Sequence, residues 1–364
     1  MKRTKLFAIL LAAAMLLTLC ACGNTDAPAQ DNTADTTEPA PAPVEPAPPP
    51  VEPAPAPVEP APAEPALDTE LPVNIMTLNG TTGFGMAKLI ADKTAGTAAL
   101  NYNISVETDA SNVTAALING TVDIAALPTN AASVVYNKTQ GAVQVLALNT
   151  LGVLYLVTDG SVTVESMADL AGQTVYAPAQ NPSFIFQHIV QANGLTDVTI
   201  DNTYAQPADL NAAVASGQVS IAVLPEPMVT VAKSKNPNLQ VALDLTAEWD
   251  KVSPAGSLVQ GCVVVRTEFA AANADAVALF LEEYGASITL MGDDIEGTAA
   301  KIEANGIFTK AAVAAKAIPN CNVCFITGAD MQAALAEFLR IMHGVAPASV
   351  GGELPGEDFY YIGA

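Results

Sequence analysis

The chain has 364 residues, with 14 Lys and Arg against 37 Asp and Glu and a formal charge of −23. So acidic a protein is unsuited to nucleic acid or to anionic headgroups held by charge. Two histidines and five cysteines leave little material for a metal cluster.

Lys2, Arg3 and Lys5 precede the apolar run 6–19, which is too short to span a bilayer comfortably and reads as a secretory signal over 1–21. Small Ala21 stands directly before Cys22, whereas bulky Leu19 precedes Cys20. This spacing resembles the lipobox of bacterial lipoproteins and predicts lipidation at Cys22, hence a protein anchored to a membrane on its extracytoplasmic side. Residues 22–70 are mostly Ala, Pro, Glu, Asp and Thr with a recurring PAPVEPAP-type unit. That composition buries too little surface to offset ordering and favours extended polyproline II, so the segment reads as an acidic stalk.

From residue 71 the pattern alternates. Strands are predicted at 73–78, 102–108, 122–127 and 143–150, with helices over 86–96, 110–119 and 128–138 between them. A second round follows: strands at 173–179, 198–204, 218–224 and 239–245, helices from 181, 207 and 225. Apolar runs at 151–158 and 257–267 each cross once between the rounds, and helices over 268–284, 297–304 and 329–344 return to the first. The implied architecture is α/β, two Rossmann-like lobes joined by a two-strand hinge, with 71–150 plus 259–364 as lobe 1 and 151–258 as lobe 2.

An internal echo supports the pairing. AALINGTVDIAALP at 115–128 returns as AAVASGQVSIAVLP at 212–225, aligning Gly120 with Gly217 and Pro128 with Pro225. Two copies roughly a hundred residues apart fit duplicated lobes better than a solenoid of many short units. Two-lobed α/β proteins place ligand between the lobes, at the carboxyl ends of the strands.

Residues just after strands are therefore the candidates. Thr81, Thr82 and Gly83 open a helix in lobe 1, and Asn181 and Ser183 flank Pro182 at the matching place in lobe 2. Unpaired N–H groups there can bind anions or carbonyl-type acceptors, although Thr, Asn and Ser also serve as caps. The repeated Leu-Pro turns diverge: Thr129 and Asn130 follow the first, Glu226 the second. Glu226 can accept from a ligand N–H or stabilise its own helix end. Asn149, closing a strand, can read a ligand amide or cap a turn. Trp249, the sole tryptophan, and Tyr204 can stack on a ring, but core packing is the commoner use. Cys321 and Cys324 form a lone CxxC pair without ligand-spaced histidines, so buried thiols or a small disulfide are expected rather than metal or redox chemistry. No nucleophile elbow or triad is present, and His188 lies within an apolar helix, where a structural role is expected.

The segments 77–89, 122–132, 219–227, 318–322 and 349–361, including LPEP and SVGGELPGEDFYY, resemble solute-binding lipoproteins of ABC transporters. The match is to the type II periplasmic-binding group, in the branch of nitrate, sulfonate, taurine and pyrimidine-precursor binders, and it spans nearly all of 71–364. It implies capture of a small solute by hinge closure and delivery to a permease and its ATPase, as a monomer, without cofactor, metal or catalysis. Because no Arg or Lys falls at the predicted cleft positions, a neutral or weakly basic heterocycle, such as a vitamin precursor, is expected over nitrate or sulfonate. The alternatives are an enzyme on the same fold, like the pyrimidine-precursor synthases of that branch, and a surface lipoprotein without transport.

Overall fold

A computed structural model describes residues 68–363. The signal, Cys22 and almost all of the stalk lie outside the described residues. The first round consists of β1 (Pro72–Leu78), α1 (Thr81–Phe84), α2 (Ala87–Ala95), β2 (Asn101–Glu107), α3 (Ala110–Ile118), β3 (Ile124–Pro128), α4 (Thr129–Thr139) and β4 (Val143–Leu151). The chain crosses to β5 (Leu154–Thr158), then β6 (Thr174–Tyr176), α5 (Asn181–Ala192), β7 (Thr199–Asp201), α6 (Pro207–Ala215), β8 (Ile221–Pro225), α7 (Met228–Lys235), β9 (Gln240–Asp244) and α8 (Leu245–Val252). It returns through β10 (Val259–Arg266), followed by α9 (Thr267–Ala272), α10 (Ala274–Asp293), α11 (Ile295–Ala304), α12 (Ala311–Ala317), β11 (Val323–Ile326) and α13 (Gly328–Val345).

Two sheets result, ordered β2-β1-β3-β10-β4-β11 and β7-β6-β8-β5-β9. Their plans coincide. In each, the first strand pairs parallel with its two neighbours, and the strand arriving from the other lobe inserts antiparallel beside β3 or β8. The sequence echo occupies equivalent ground, from the end of α3 through β3 and from the end of α6 through β8. Gly120 and Gly217 take φ of 69° and 72°, a left-handed conformation that a side chain would strain. Capping follows local chemistry: Asp109 accepts from Ser111 N at 2.8 Å to start α3, and Gly96 at φ 72° ends α2.

The lobes are joined at 152–153 and 253–258, and behind the cleft they share one core. Leu127 and Leu148 of the first sheet and Leu156 and Val223 of the second belong to the same buried cluster as Trp249 of α8 and Phe338 of α13. Trp249 is fully buried, its ring centroid 4.8 Å from His188 and 5.9 Å from Phe338. The second crossing is tied down at both ends. His188 Nε2 bonds Ser253 Oγ at 2.8 Å, and Trp249 Nε1 donates to Ser257 Oγ at 2.9 Å. These two aromatic rings therefore serve the hinge, as expected of a structural histidine and a core tryptophan.

Several elements depart from the sequence pattern. The helix expected over 268–284 is broken at Asn273 into α9 and α10, while α8, α12 and β11 were not anticipated. The three cysteines in the described region are free thiols, so the small-disulfide alternative is not formed. Burial pushes Cys321 and Cys324 up to about 12 and Cys262 higher still, which removes thiolate reactivity. Among the described residues no helix is long and apolar enough to cross a membrane.

Candidate functional site

The carboxyl ends of β1, β3, β4 and β8 converge on a cavity of about 340 Å³ between the lobes. Lobe 1 contributes Asn79, Gly80, Thr81, Thr82, Pro128, Thr150, Gln260 and Phe308. Lobe 2 contributes Asn181, Pro182, Pro207, Pro225, Glu226, Pro227 and Met228, with Val153 at the crossing. Of the sequence candidates, Thr81, Thr82, Asn181 and Glu226 meet here.

The remaining candidates are placed around the cavity rather than on its wall. Thr129 is fully buried and donates through Oγ1 to Val259 O at 2.7 Å, fixing α4 to β10. Asn130 Nδ2 reaches Ser349 O at 3.3 Å, and Ser183 Oγ lies 3.4 Å from Asn202 Oδ1. Gly83 presents no side chain, and a Cβ there would sit 1.9 Å from Leu78 O. Asn149, 1% exposed, works from beneath the wall. Its Nδ2 donates to Thr82 O and to Tyr284 Oη, both at 3.1 Å, and its Oδ1 accepts from Thr150 Oγ1 at 3.0 Å. It thereby holds two lining residues in place. Tyr204 packs against Tyr176, outside the cavity.

Glu226 takes the helix-end role weighed for it while facing the cavity. The residue lines the cavity, yet its carboxylate accepts from Thr230 N at 3.1 Å and Thr230 Oγ1 at 2.9 Å, capping α7. Burial raises its pKa above the ordinary carboxylate value, with the Thr230 bonds acting in the opposite direction. Its backbone carbonyl accepts from Thr81 Oγ1 at 2.9 Å, a direct bond between lobes. A second such bond runs from Tyr155 Oη to Asn320 O at 2.9 Å.

The polarity of the wall is uneven. Prolines stand at the start of α4, α5, α6 and α7, so each of these helix ends lacks an N–H it would otherwise present. The N–H groups of Thr81 and Thr82, by contrast, have no partner among the described residues. Gln260 anchors its Oε1 on Val153 N at 2.8 Å, and its Nε2 is uncommitted among the described residues. Opposite, Asn181 Oδ1 is buried and has no hydrogen-bond partner. Lobe 1 thus offers free donors at Thr81, Thr82 and Gln260, and lobe 2 an unpaired acceptor at Asn181 beside the Glu226 carboxylate. Glu226 is the one charged residue in the lining.

Gln260 and Phe308 were not anticipated. Gln260 lies inside the returning strand, and Phe308 lies in the loop between α11 and α12; neither position carries a local pattern that marks it.

Residues 97–293 match the family model described as NMT1/THI5 like. No curated protein matches the sequence. Among solved structures, an ABC transporter protein from Parabacteroides distasonis is similar over 80% of this chain and 99% of its own, at 22% identity and a TM-score of 0.68. The periplasmic aliphatic sulphonate binding protein SsuA from Escherichia coli covers 79% of this chain and 90% of itself, at 15% identity and 0.62. The alkanesulfonate-binding protein SsuA from Xanthomonas axonopodis pv. citri, bound to MOPS, covers 82% and 97%, at 14% and 0.57. These likenesses establish a shared periplasmic-binding fold.

Proposed function

The chain belongs to the NMT1/THI5-like family, and from that premise we propose that it is an extracytoplasmic solute-binding protein of an ABC importer that closes its lobes over a small neutral or weakly basic heterocycle. The observation carrying this reading is the cavity wall. One carboxylate and several uncommitted amide groups are set among five prolines, with no Lys, Arg or His. A sulfonate would meet Glu226 without a compensating cation, which disfavours an anion. A ring with an acceptor on one edge and an N–H donor on the other matches Thr81, Thr82 and Gln260 on one side and Asn181 on the other. The lack of a lysine or histidine on the wall also supports binding over a synthase-like reaction.

The neighbours' ABC and periplasmic names support the transport role. In this reading residues 1–21 are a lipoprotein signal, Cys22 carries the lipid and 22–70 tether a monomeric receptor near its permease.

The test is a thermal-shift screen of the full-length chain against aminopyrimidines, other neutral heterocycles and alkanesulfonates. A ligand at a hundred times its Kd stabilises by about 2.7 kcal/mol. Stabilisation by heterocycles, lost in Asn181→Ala, is expected. Stabilisation by alkanesulfonates alone would overturn the proposal.

A further inference from the structure

A second cavity, of about 350 Å³, lies on the other side of Glu226 and shares only that residue with the main cleft. Its walls come from both lobes: α7 and Val241 of β9 on one side, α12 and Asn320 on the other. The volume is within the range of small-molecule sites, about 300–1,000 Å³.

Its charges are ordered along its depth. Glu226 is 4% exposed, whereas Lys233 of α7 and Lys316 of α12 are exposed. Neither lysine has an ion-pair partner among the described residues. The two lysines line the cavity from opposite lobes and make its rim positive, and the Lys233 charge also favours the ionised Glu226 carboxylate. A plain anion fits poorly, because the carboxylate beneath would repel it. A plain cation would meet two lysines on entry. Thr230 takes two of the roughly four acceptor positions of the Glu226 carboxylate and the Asn320 side chain bears on a third, which leaves one for a further donor. Val229, Val241 and Val313 supply apolar surface in the same cavity, and Val241 is among the few large apolar residues left exposed.

We propose that this cavity is a second ligand site, taking a small zwitterion with an apolar group, its ammonium at Glu226 and its carboxylate at the Lys233–Lys316 rim. The site is separate from the main cleft in every lining residue except Glu226, whose carboxylate both border. Because its walls belong to both lobes, its occupant bridges α7 and α12 and favours the apposed arrangement.

The probe is L-leucine, titrated calorimetrically into the full-length chain, with N-acetyl-L-leucine and L-leucinamide as analogues lacking one charge each. L-Leucine is expected to bind, and each analogue to bind at least about tenfold more weakly, the cost of a charge-assisted contact. Lys233→Ala/Lys316→Ala is expected to weaken L-leucine by a similar factor, while Lys138→Ala, remote from the cavity, and Asn181→Ala, in the main cleft, change it less than about twofold. Both lysines are exposed, so the double variant is expected to fold. No heat with millimolar L-leucine, equal binding of either analogue, or wild-type affinity in the double variant would each overturn the proposal.

Discussion

Asn149 offers the sharpest test of how the cleft wall is supported. In Asn149→Leu the side-chain volume is nearly kept, but three hydrogen bonds at 3.0–3.1 Å disappear. The Thr150 hydroxyl can rotate toward another acceptor. The Thr82 carbonyl and the Tyr284 hydroxyl, the latter on a fully buried residue, lose the Asn149 amide. A stranded buried polar group costs about 1–3 kcal/mol, and the apolar gain of leucine offsets part of that. A net loss of about 3 kcal/mol is expected, a large share of the 5–15 kcal/mol that holds a typical fold. Urea titration followed by Trp249 fluorescence reads it directly, since there is one tryptophan and it is buried. With a slope of about 2–3 kcal/mol per molar, the midpoint should fall by about 1 M or more. Tyr284→Phe removes one of the stranded groups, so the double variant should recover about 1 kcal/mol relative to additivity. A midpoint shift below about 0.3 M, or strict additivity with Tyr284→Phe, would refute the network as the wall's support.

Two further outcomes follow from the hinge. The His188 ring is held below its ordinary 6.5 by burial first and by the Arg340 charge second. The unfolded chain therefore binds its proton more readily, so stability is intact above pH 6.5 and lost as pH falls through the folded value; urea midpoints at neutral and mildly acidic pH should converge more in His188→Asn than in wild type. In Gly152→Ala the new Cβ would lie 2.2 Å from Thr246 Oγ1 and 2.7 Å from Leu258 Cδ2. Overpacking of this kind costs about 1–3 kcal/mol, and a thermal midpoint equal to wild type would show that the crossing yields freely.

Much of the fold was legible because the pattern is written twice. Ile124–Pro128 and Ile221–Pro225 bury the same positions in the same order, and the glycine before each strand carries a positive φ. The missed elements lacked contrast. The α12 segment is almost all alanine, with no polar face to set a period, and β11 has four residues following Asn322 at φ 43°. Asn273 interrupts α9 and α10 without a proline or glycine to announce it.

The site was legible only at the level of strand ends. That rule marks which backbone reaches the cleft, not which way a short polar side chain turns. Thr129 and Asn149 satisfied it and then bonded nearby backbone carbonyls, because a buried hydroxyl or amide so close to such an acceptor gains more by pairing than by waiting for ligand. Gln260 failed the rule because its strand comes from the other crossing and runs antiparallel, so its nearness to Asn181 exists only once both sheets are assembled.

The prolines change what the helix ends offer to the cleft. A helix end facing a cleft normally offers N–H groups and a positive dipole end, a ready site for an anion. Here four of the facing helices begin at or beside a proline, which preserves the backbone angle while deleting a donor. The loss falls mainly on lobe 2, where Asn181 Oδ1 and Glu226 add acceptors. Lobe 1 keeps the Thr81 and Thr82 N–H groups because α1 follows Gly80 rather than proline. In the proposed binding mode a ligand held between them presents different edges to the two lobes. Of the divergent turns of the repeated sequence only Glu226 reaches this wall, and under the function proposed above the arrangement favours a planar ring with separated donor and acceptor edges over a symmetric oxyanion.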